Sequence, residues 1–491
     1  MQRKFNDQEL IRRKKLTDLQ DDNEDPYQIE KVERTLILKD FENKYNSFSK
    51  SELVEKDLDT ETLCGRVLNI RQGFSIIKDF SGSLQIYINK KKYPEVFSKY
   101  SKLDIGDIIT VDGIAMKTNT GEITLDVYSL KIISKSLKVL PEKFHGLVDE
   151  ELRARHRYVD LIVNENSMNT FIMRSKIVTL IRNYMDSLGY FEVETPVLQP
   201  ILGGANARPF TTHHNTLNKE FYLRVATELP LKKLIVGGFE KVYEIGRLFR
   251  NEGMDSTHNP EFTTMEAYTA YIGMEETMKL VEDIIHYVAE KINIEKVDYQ
   301  DYEINIKNDF KSIHMVDFIK QETGVDFWGK MTNEEAVAIA KKNDVFLEKH
   351  QMNYGHVVNC FFEKFCEEKC IQPTFVFGHP IEISPLSKID YADKRFTKRF
   401  ELFIGKKEYA NAYAELNDPI DQYNRFNEQV KEKNLGNIEA NEIDWDFLEA
   451  LEYGLPPTGG LGLGIDRLVM LFTNNNSIRN VLLFPHMKDI K

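Results

Sequence analysis

From Thr62 to about Ser136, apolar and polar residues alternate in short runs: Cys64–Ile70, Phe74–Asp79, Ser83–Ile88, Ile108–Ala115 and Ile123–Ser129. A period of two turns one side of each run toward a core and the other toward water, so each run predicts a half-buried strand. Turn residues separate the runs at Ser81-Gly82, at Asp104-Ile105-Gly106-Asp107 and at Asn119-Thr120-Gly121. Five short strands joined in this way predict a small barrel. Residues 1–60 before it read as a polar helical extension, broken at Asp25-Pro26-Tyr27.

Behind the barrel, taken as 61–140, the pattern changes. Residues 141–165 form a linker with Arg153, Arg155 and Arg157, and 166–491 alternates helical periods with apolar strands. A helix is predicted over Thr170–Leu188, then a strand over Phe191–Thr195 that Pro196 stops. Residues about 275–372 are Lys/Glu-rich with helical periodicity and read as an insertion between two motif-rich blocks. A five-stranded barrel ahead of a larger domain suggests an OB-fold that reads single-stranded nucleic acid.

Composition narrows the function. The chain has 491 residues, 42% hydrophobic and 29% charged, as expected of a soluble multi-domain protein. Its formal net charge of −13 argues against non-specific coating of nucleic acid, which rests on Lys and Arg, but leaves room for a local basic surface. The run Leu10-Ile11-Arg12-Arg13-Lys14-Lys15-Leu16 is one candidate for such a surface, and a solvated helix face is the alternative. Four cysteines and a polar start without a secretory core point to the cytoplasm. Cys360, Cys366 and Cys370 cluster without a zinc spacing, which suits buried thiols better than a metal site.

Three motifs carry chemistry. The first is Phe249-Arg250-Asn251-Glu252, followed by a loop to His258-Asn259-Pro260-Glu261-Phe262-Thr263. Val242–Arg247 and Thr264–Ala270 on either side have strand character, so an antiparallel hairpin is predicted with Arg, Glu and His at its tip. Such a tip suits a nucleotide, because Arg forks onto phosphate and an aromatic ring stacks on a base; a surface hairpin with an ion pair has the same pattern. The second motif is Gly459-Gly460-Leu461-Gly462-Leu463-Gly464-Ile465-Asp466-Arg467, ahead of an apolar helix at Leu468-Val469-Met470-Leu471-Phe472. Its glycines permit close backbone approach, but it lacks the spacing and βαβ setting of a dinucleotide loop. The third is Glu408 and Glu415 flanking Asn411 and Tyr413, of which 411, 413 and 415 share a face if the stretch is a strand. Inward carboxylates are costly unless paired or metal-bound, and beside a nucleotide they usually hold magnesium; an amphipathic edge strand is the alternative.

Together the motifs resemble those of class II aminoacyl-tRNA synthetases: the Arg250 hairpin resembles motif 2, the Gly459–Arg467 string motif 3, and the helix, strand and Pro196 motif 1, the dimer-forming segment. The barrel ahead of the catalytic domain resembles the lysine, aspartate and asparagine subgroup. Finer strings resemble the lysyl-tRNA synthetase family: His145-Gly146-Leu147, Arg155-His156-Arg157-Tyr158-Val159-Asp160-Leu161, Gly203-Gly204-Ala205-Asn206-Ala207-Arg208-Pro209-Phe210, Thr212-His213-His214-Asn215 and Asn259–Thr263. Pro385-Leu386-Ser387-Lys388 faintly resembles a class I signature, but the resemblance puts it in the class II catalytic sheet.

The resemblance implies an α+β fold: an N-terminal five-stranded OB-fold barrel, then a catalytic domain built on an antiparallel sheet flanked by helices. It implies ATP-dependent activation of L-lysine to lysyl-adenylate and transfer to the 3′ end of tRNA(Lys), by a homodimer using up to about three magnesium ions per active site. Arg250 and Arg467 are the implied catalytic residues. Arg250, Glu252, His258, Phe262, Glu408 and Arg467 would bind ATP. Gly204, Glu228, Arg250, Glu266, Tyr268, Asn411, Tyr413 and Glu415 would bind lysine, and Glu408 and Glu415 would hold the metal. In the barrel, Phe74, Gln85, Arg71 and Glu122 would contact the anticodon, although the chain is shorter than the pattern just before Phe74, and Phe74 could instead be barrel core. Ala412, Ala414, Thr227 and Thr257 stand where the pattern commonly has Gly, Ser or Thr, Pro, and Arg. An asparaginyl or aspartyl sister enzyme and a non-catalytic RNA-binding paralogue are the alternatives; acidic Glu228 and Glu266 favour a cationic substrate.

Overall fold

The alternating runs at 61–134 close into a barrel because their apolar sides have only each other to cover them. In the computed structural model, which describes residues 4–141, 147–205, 207–437 and 443–489, they form β1 (Glu61–Arg71), β2 (Phe74–Lys78), β3 (Ser83–Tyr87), β4 (Ile108–Lys117) and β5 (Ile123–Ser134). The order is β1-β2-β3-β5-β4, and β4 pairs back onto β1 from Glu61↔Gly113 to Arg66↔Ile108. Leu63, Val67, Ile77, Leu84, Ile86, Ile109, Val111, Leu125 and Val127 fill the interior. The helix Leu38–Tyr45 adds Leu38, Phe41 and Tyr45 to that core. These elements belong to the first of two compact units, Met1–Val148 and Asp149–Lys491.

Part of the basic run is used internally. On the helix Asp7–Asp21, the buried Arg12 donates to the carbonyls of Ile105 (3.0 Å), Ser136 (3.0 Å) and Lys138 (2.8 Å), and Lys15 pairs with Asp104 at 2.8 Å. Arg12 is therefore a tie between helix and barrel, not a nucleic-acid contact. The shortness of the chain before Phe74 also has a physical form. Arg71 pairs with Phe74 across Gln72 (φ 24°) and Gly73 (φ 90°), a two-residue hairpin turn with both central residues at positive φ. Asn is the natural partner for Gly in such a turn. Gln72→Asn is expected to stabilise the barrel by up to about 1 kcal/mol, read as a higher midpoint for its transition in denaturant melts of the full chain.

The second unit is organised by an eight-stranded sheet. Its strands are β6 (Phe191–Glu192), β7 (Lys241–Phe249), β8 (Glu261–Ala270), β9 (Lys311–His314), β10 (Thr374–Phe377), β11 (Arg399–Ile404), β12 (Lys407–Ala414) and β13 (Thr458–Gly464). They run in the order β9-β10-β11-β12-β13-β8-β7-β6, antiparallel except at the two edge pairs. The helices Glu165–Ser187, Met274–Lys291 and Ile465–Phe472 cover one face, packing Ile177, Ile181, Ile284, Val288, Leu468 and Leu471 onto Met265, Leu402, Ala412 and Leu461. The opposite face is left for a site.

Two expectations change here. The 275–372 stretch is not a separate helical insertion: its first helix is part of the main core, and its strand β9 forms an edge of the main sheet. The strand expected over Phe191–Thr195 is only two residues long, because past Val193, whose N–H still reaches Tyr243 O (2.9 Å), Glu244 takes the Thr195 N–H (3.1 Å) and hydroxyl (2.7 Å).

Candidate active site

A cleft of about 540 Å³ lies on the uncovered sheet face. Its floor follows from strand periodicity. In Gly460-Leu461-Gly462-Leu463-Gly464 the leucines point into the core and the glycines toward the cleft, so the motif is a strand in mid-sheet and not a phosphate loop. These glycines supply space: a side chain at Gly460 would meet the Glu415 carboxylate and the Tyr268 ring. Register then sets two rows across the floor, Tyr268–Gly460–Tyr413–Arg399 and Glu266–Gly462–Asn411–Glu401. Residues of the motif 2-like hairpin and the start of the helix Ile465–Phe472 bring Arg250, Glu252, His258, Phe262 and Arg467 to the same cleft.

The two ends of the cleft differ in charge. At one end the Arg250 guanidinium sits over the Phe262 ring (5.2 Å), and its Nε is buried without a hydrogen-bond partner among the described residues. The Arg250 N–H donates to Pro260 O at 2.8 Å, which fixes the loop behind it. His258 is held by Asp255, Nδ1 to Oδ2 at 2.9 Å, and Thr257 joins the same carboxylate. Arg467 donates to the Glu408 carbonyl and lies 3.4 Å from its carboxylate. Asp466 accepts from the Thr263 N–H (2.8 Å) and pairs with Arg174 (2.5 Å), locking this helix to the hairpin.

The other end is acidic and buried. Glu228, Glu266 and Glu415 are all buried there. Glu266 accepts from the Thr227 N–H (3.0 Å) and the Tyr268 hydroxyl (3.2 Å). Burial, and then the neighbouring Glu228 charge, push its carboxyl up to about 7 against these bonds. Thr227 stands where the resemblance has proline, which would have no N–H to give. Glu228 is held by Lys232 (2.5 Å) and by the Tyr413 hydroxyl (2.7 Å). Gly204 closes this end at φ 89°, where a side chain would also press on Ala226.

Residues 149–488 match the family tRNA synthetases class II (D, K and N), and residues 61–133 match the OB-fold nucleic acid binding domain. The chain belongs to the class II tRNA synthetases. It is 63% identical over 493 residues to the Lysine–tRNA ligase of Malacoplasma penetrans (strain HF-2), covering all of both chains. It is 61% identical over 490 residues to that of Ureaplasma parvum serovar 3 (strain ATCC 27815 / 27 / NCTC 11736), covering 100% of this chain and 99% of the relative. To the Lysine–tRNA ligase of Lactococcus lactis subsp. cremoris (strain MG1363) it is 54% identical over 490 residues, covering 99% of each.

In this synthetase the cleft gathers Gly204, Glu228, Arg250, Glu252, His258, Phe262, Glu266, Tyr268, Glu408, Asn411, Tyr413 and Arg467. Glu415 does not join Glu408. Seven residues of strand at about 3.3 Å each put the two roughly 20 Å apart, and Glu415 is fully buried against Lys232. Glu408 and Glu415, both expected to hold the metal, therefore stand too far apart to share one ion. Strict alternation would also put Glu408 on the wrong face. A β-bulge corrects this: Leu402 pairs with Ala410 but Phe403 with Glu408, so Tyr409 is the extra residue and Glu408 shares a face with Asn411. The carboxylate beside Glu408 is Glu401, a diagonal neighbour at about 7–8 Å.

Sequence reasoning missed Glu401, and the only signal for it was a carboxylate in the apolar run of β11. It pairs with Arg399 (2.7 Å) and lies 3.4 Å from His379. Burial alone would raise its pKa, but His379 and Arg399 outweigh that and hold it near 2. Lys232 was missed as well, hidden in an amphipathic helix. Pro385-Leu386-Ser387-Lys388, expected in the sheet, is a loop whose Pro385, Leu386 and Ser387 line the cleft, bridged to the sheet end at Ser387↔Glu415. His145, Gly146 and Asn206 lie outside the described residues. The three clustered cysteines are free and buried, Cys366 and Cys370 with thiols pushed up to about 12 by burial.

On the barrel, Phe74 faces outward: Ser75 and Ile77 are buried while 74, 76 and 78 are not, so Phe74 is not core. Its ring lies 4.5 Å from that of Tyr87, its cross-strand partner. Gln85 is on the same face, accepting from Thr124 (2.9 Å) and donating to Glu122 (3.3 Å). Arg71 and Glu122 are exposed at its rim.

Proposed function

We infer that the chain is a lysine–tRNA ligase that forms lysyl-adenylate from L-lysine and ATP and passes the lysyl group to the 3′ end of tRNA(Lys). The observation that carries this is a cleft with an uncommitted Arg250 at one end and, at the other, Glu266 bound only by uncharged donors. Lysine lies along the glycine floor, its side-chain ammonium toward Glu266 and Tyr268, its carboxylate toward Arg250 and Asn411. Phe262 and Arg467 enclose the adenine, Glu252 reads its amino group, and His258 meets the outer phosphates. No protein nucleophile is required, since lysine's own carboxylate attacks the α-phosphate; the chain supplies position and charge. At the acidic end an acidic side chain would meet no uncommitted cation among the described residues: Lys232 is held by Glu228 and Glu415, and Arg399 by Glu401, Asn411 and the Ile383 carbonyl.

Magnesium fits Glu401 and Glu408, hard oxygen donors on one face at the nucleotide end, with phosphates completing the shell. When bound, it supplies charge neutralisation on the phosphates. The test of the whole reading is ATP–pyrophosphate exchange with each proteinogenic amino acid in turn: lysine alone should support it at micromolar to millimolar concentration, and equal or better exchange with asparagine or aspartate would overturn it.

The outward Phe74–Tyr87 face supports anticodon reading. Stacking of an aromatic on a base contributes about 1–3 kcal/mol. Phe74→Ala is expected to lower tRNA charging by about ten- to a hundredfold while leaving pyrophosphate exchange unchanged; equal loss in both assays would remove Phe74 from the interface. A homodimer is supported by the sheet edge, where Phe191 is 61% exposed and packs against Phe239, which is 40% exposed. Sedimentation should give twice the 57.2 kDa chain mass, and a fully active monomer would refute the dimer. Work in the cytoplasm follows from the tRNA substrate, and no helix among the described residues is long and apolar enough to cross a membrane.

A further inference from the structure

The three motif-like segments of the catalytic unit meet at one side chain. Arg174 projects from the helix Glu165–Ser187, the helix of the motif 1-like segment, and its side chain is mostly buried. Its Nη1 lies 2.5 Å from Asp466 Oδ1 and donates to the Val481 carbonyl at 3.3 Å, and its Nη2 donates to the Thr263 hydroxyl at 3.1 Å. The other Asp466 oxygen accepts from the Thr263 N–H at 2.8 Å. Guanidinium, carboxylate and Thr263 thus close a ring. The three oxygens belong to β8, to the helix Ile465–Phe472 and to the short helix Ile478–Val481, and a planar fork reaches all of them from one side chain.

Each contact ends beside the nucleotide end of the cleft. Thr263 follows Phe262 and Asp466 precedes Arg467, the two side chains that enclose the adenine in the reading above. The ladder between β8 and β13 ends at Thr264↔Gly464, so Phe262 and Arg467 both lie just past it. Their separation is set by the bonds around Arg174 and not by strand pairing. Val481 closes the helix Ile478–Val481, whose first residue lines the cleft and gives its N–H to the Ser256 carbonyl (2.8 Å) in the loop that carries His258. The same segment is gripped from a second side. Arg157, in the basic stretch of the 141–165 linker, is buried and donates to the carbonyls of Arg479 (2.8 Å) and Leu483 (3.2 Å).

We propose that Arg174 is a positioning residue for ATP: by bracing Thr263, Asp466 and Val481 at once, it sets the gap between Phe262 and Arg467 into which the adenine fits and steadies the loop that carries His258. Arg174 touches no substrate; it acts through Thr263, Asp466 and Val481. The inference rests on the ATP-dependent reading above. Glu266 and Tyr268, which receive lysine, lie inside the ladder opposite Gly462 and Gly460 and keep their places without Arg174. Loss of the brace therefore separates the two substrates. Arg174→Lys keeps a cation for the buried Asp466, but one ammonium does not span oxygens on three elements, so the ties to Thr263 and Val481 go while the carboxylate stays paired.

The test compares the wild-type full chain with Arg174→Lys, with Thr263→Val and with the two combined, measuring pyrophosphate exchange against ATP and against lysine, ATP binding by equilibrium dialysis, and thermal melts. Arg174→Lys is expected to raise both KM and Kd for ATP about tenfold or more, with KM for lysine within about twofold and a melting temperature close to that of wild type. Thr263→Val keeps the ion pair and removes only the hydroxyl bond, and should raise KM for ATP about threefold. The double variant should bind ATP within about twofold of Arg174→Lys, because the hydroxyl has already lost its partner, whereas independent packing defects would multiply. If Arg174→Lys does not fold, Thr263→Val decides alone, by whether KM for ATP rises without KM for lysine. The proposal is overturned if KM for ATP stays within about twofold of wild type, if both KM values rise alike, or if the losses multiply in the double variant. Failure of the wild-type chain to exchange with lysine would instead remove the functional reading, so the two failures are distinguishable.

Discussion

Arg250→Ala should lower lysine-dependent pyrophosphate exchange by about a hundred- to a thousandfold and leave the melting temperature almost unchanged. Two anions, a carboxylate and a triphosphate, must approach within bonding distance, and negative charge then gathers on the α-phosphate oxygens. Arg250 follows β7 directly, its backbone is fixed by Pro260, and its guanidinium rests on Phe262 with Nε unpaired. Because it forms no ion pair with the described residues, its removal strands no buried partner, and stability has little reason to fall. Arg250→Lys should recover little, since an ammonium cannot present the planar fork to two anions at once. A variant that loses activity and melting temperature together would make Arg250 a structural residue.

How much of this was legible in the sequence depended on period. The barrel strands and the hairpin around Arg250 announced themselves by alternation, because a sheet with one buried face forces period two. Gly460 to Gly464 carried the same alternation, with glycine as the outward residue, and was harder to read since glycine usually signals a turn. The surroundings of Glu408 were not legible. A bulge adds one residue and shifts parity, which brings Glu408 onto the face of Asn411 without any change in composition. Partners on neighbouring strands, as Glu401 is to Glu408, are set by register, which a linear pattern does not contain. Lys232 was illegible for a related reason: a lysine in an amphipathic helix reads as solvent-facing, and only the two carboxylates brought in by other elements keep it buried. The 275–372 stretch misled because its helices are real while its strands, Lys296–Tyr299, Tyr302–Asn305 and Lys311–His314, are four residues each and too short to show a period.

Glu266→Gln should reduce kcat/KM for lysine by about two to three orders of magnitude and, at pH 8, raise the stability of the unliganded protein. The two effects have one origin. Burial first, and then the Glu228 charge, lift the Glu266 carboxyl to about 7, against the Thr227 N–H and the Tyr268 hydroxyl that favour its ionised form. Lysine needs that carboxylate ionised, so below pH 7 a proton must leave for the ammonium to bind. The ionised fraction falls about tenfold between pH 8 and pH 6, and KM for lysine should rise by about the same factor, with KM for ATP flat over that range. The folded pKa is raised above the unfolded value near 4.5, so the folded chain holds this proton more tightly than the unfolded one. The group's contribution to unliganded stability is therefore complete below the unfolded pKa and is lost as pH climbs through about 7. Glutamine keeps the shape and the hydrogen bonds but cannot ionise, so the variant should lose both the pH dependence of KM and the decline in stability toward pH 8. Melting curves at pH 5 and pH 8, with and without lysine, separate the outcomes. A variant that is equally destabilised at both pH values, with the pH dependence of KM intact, would show that another group receives the ammonium.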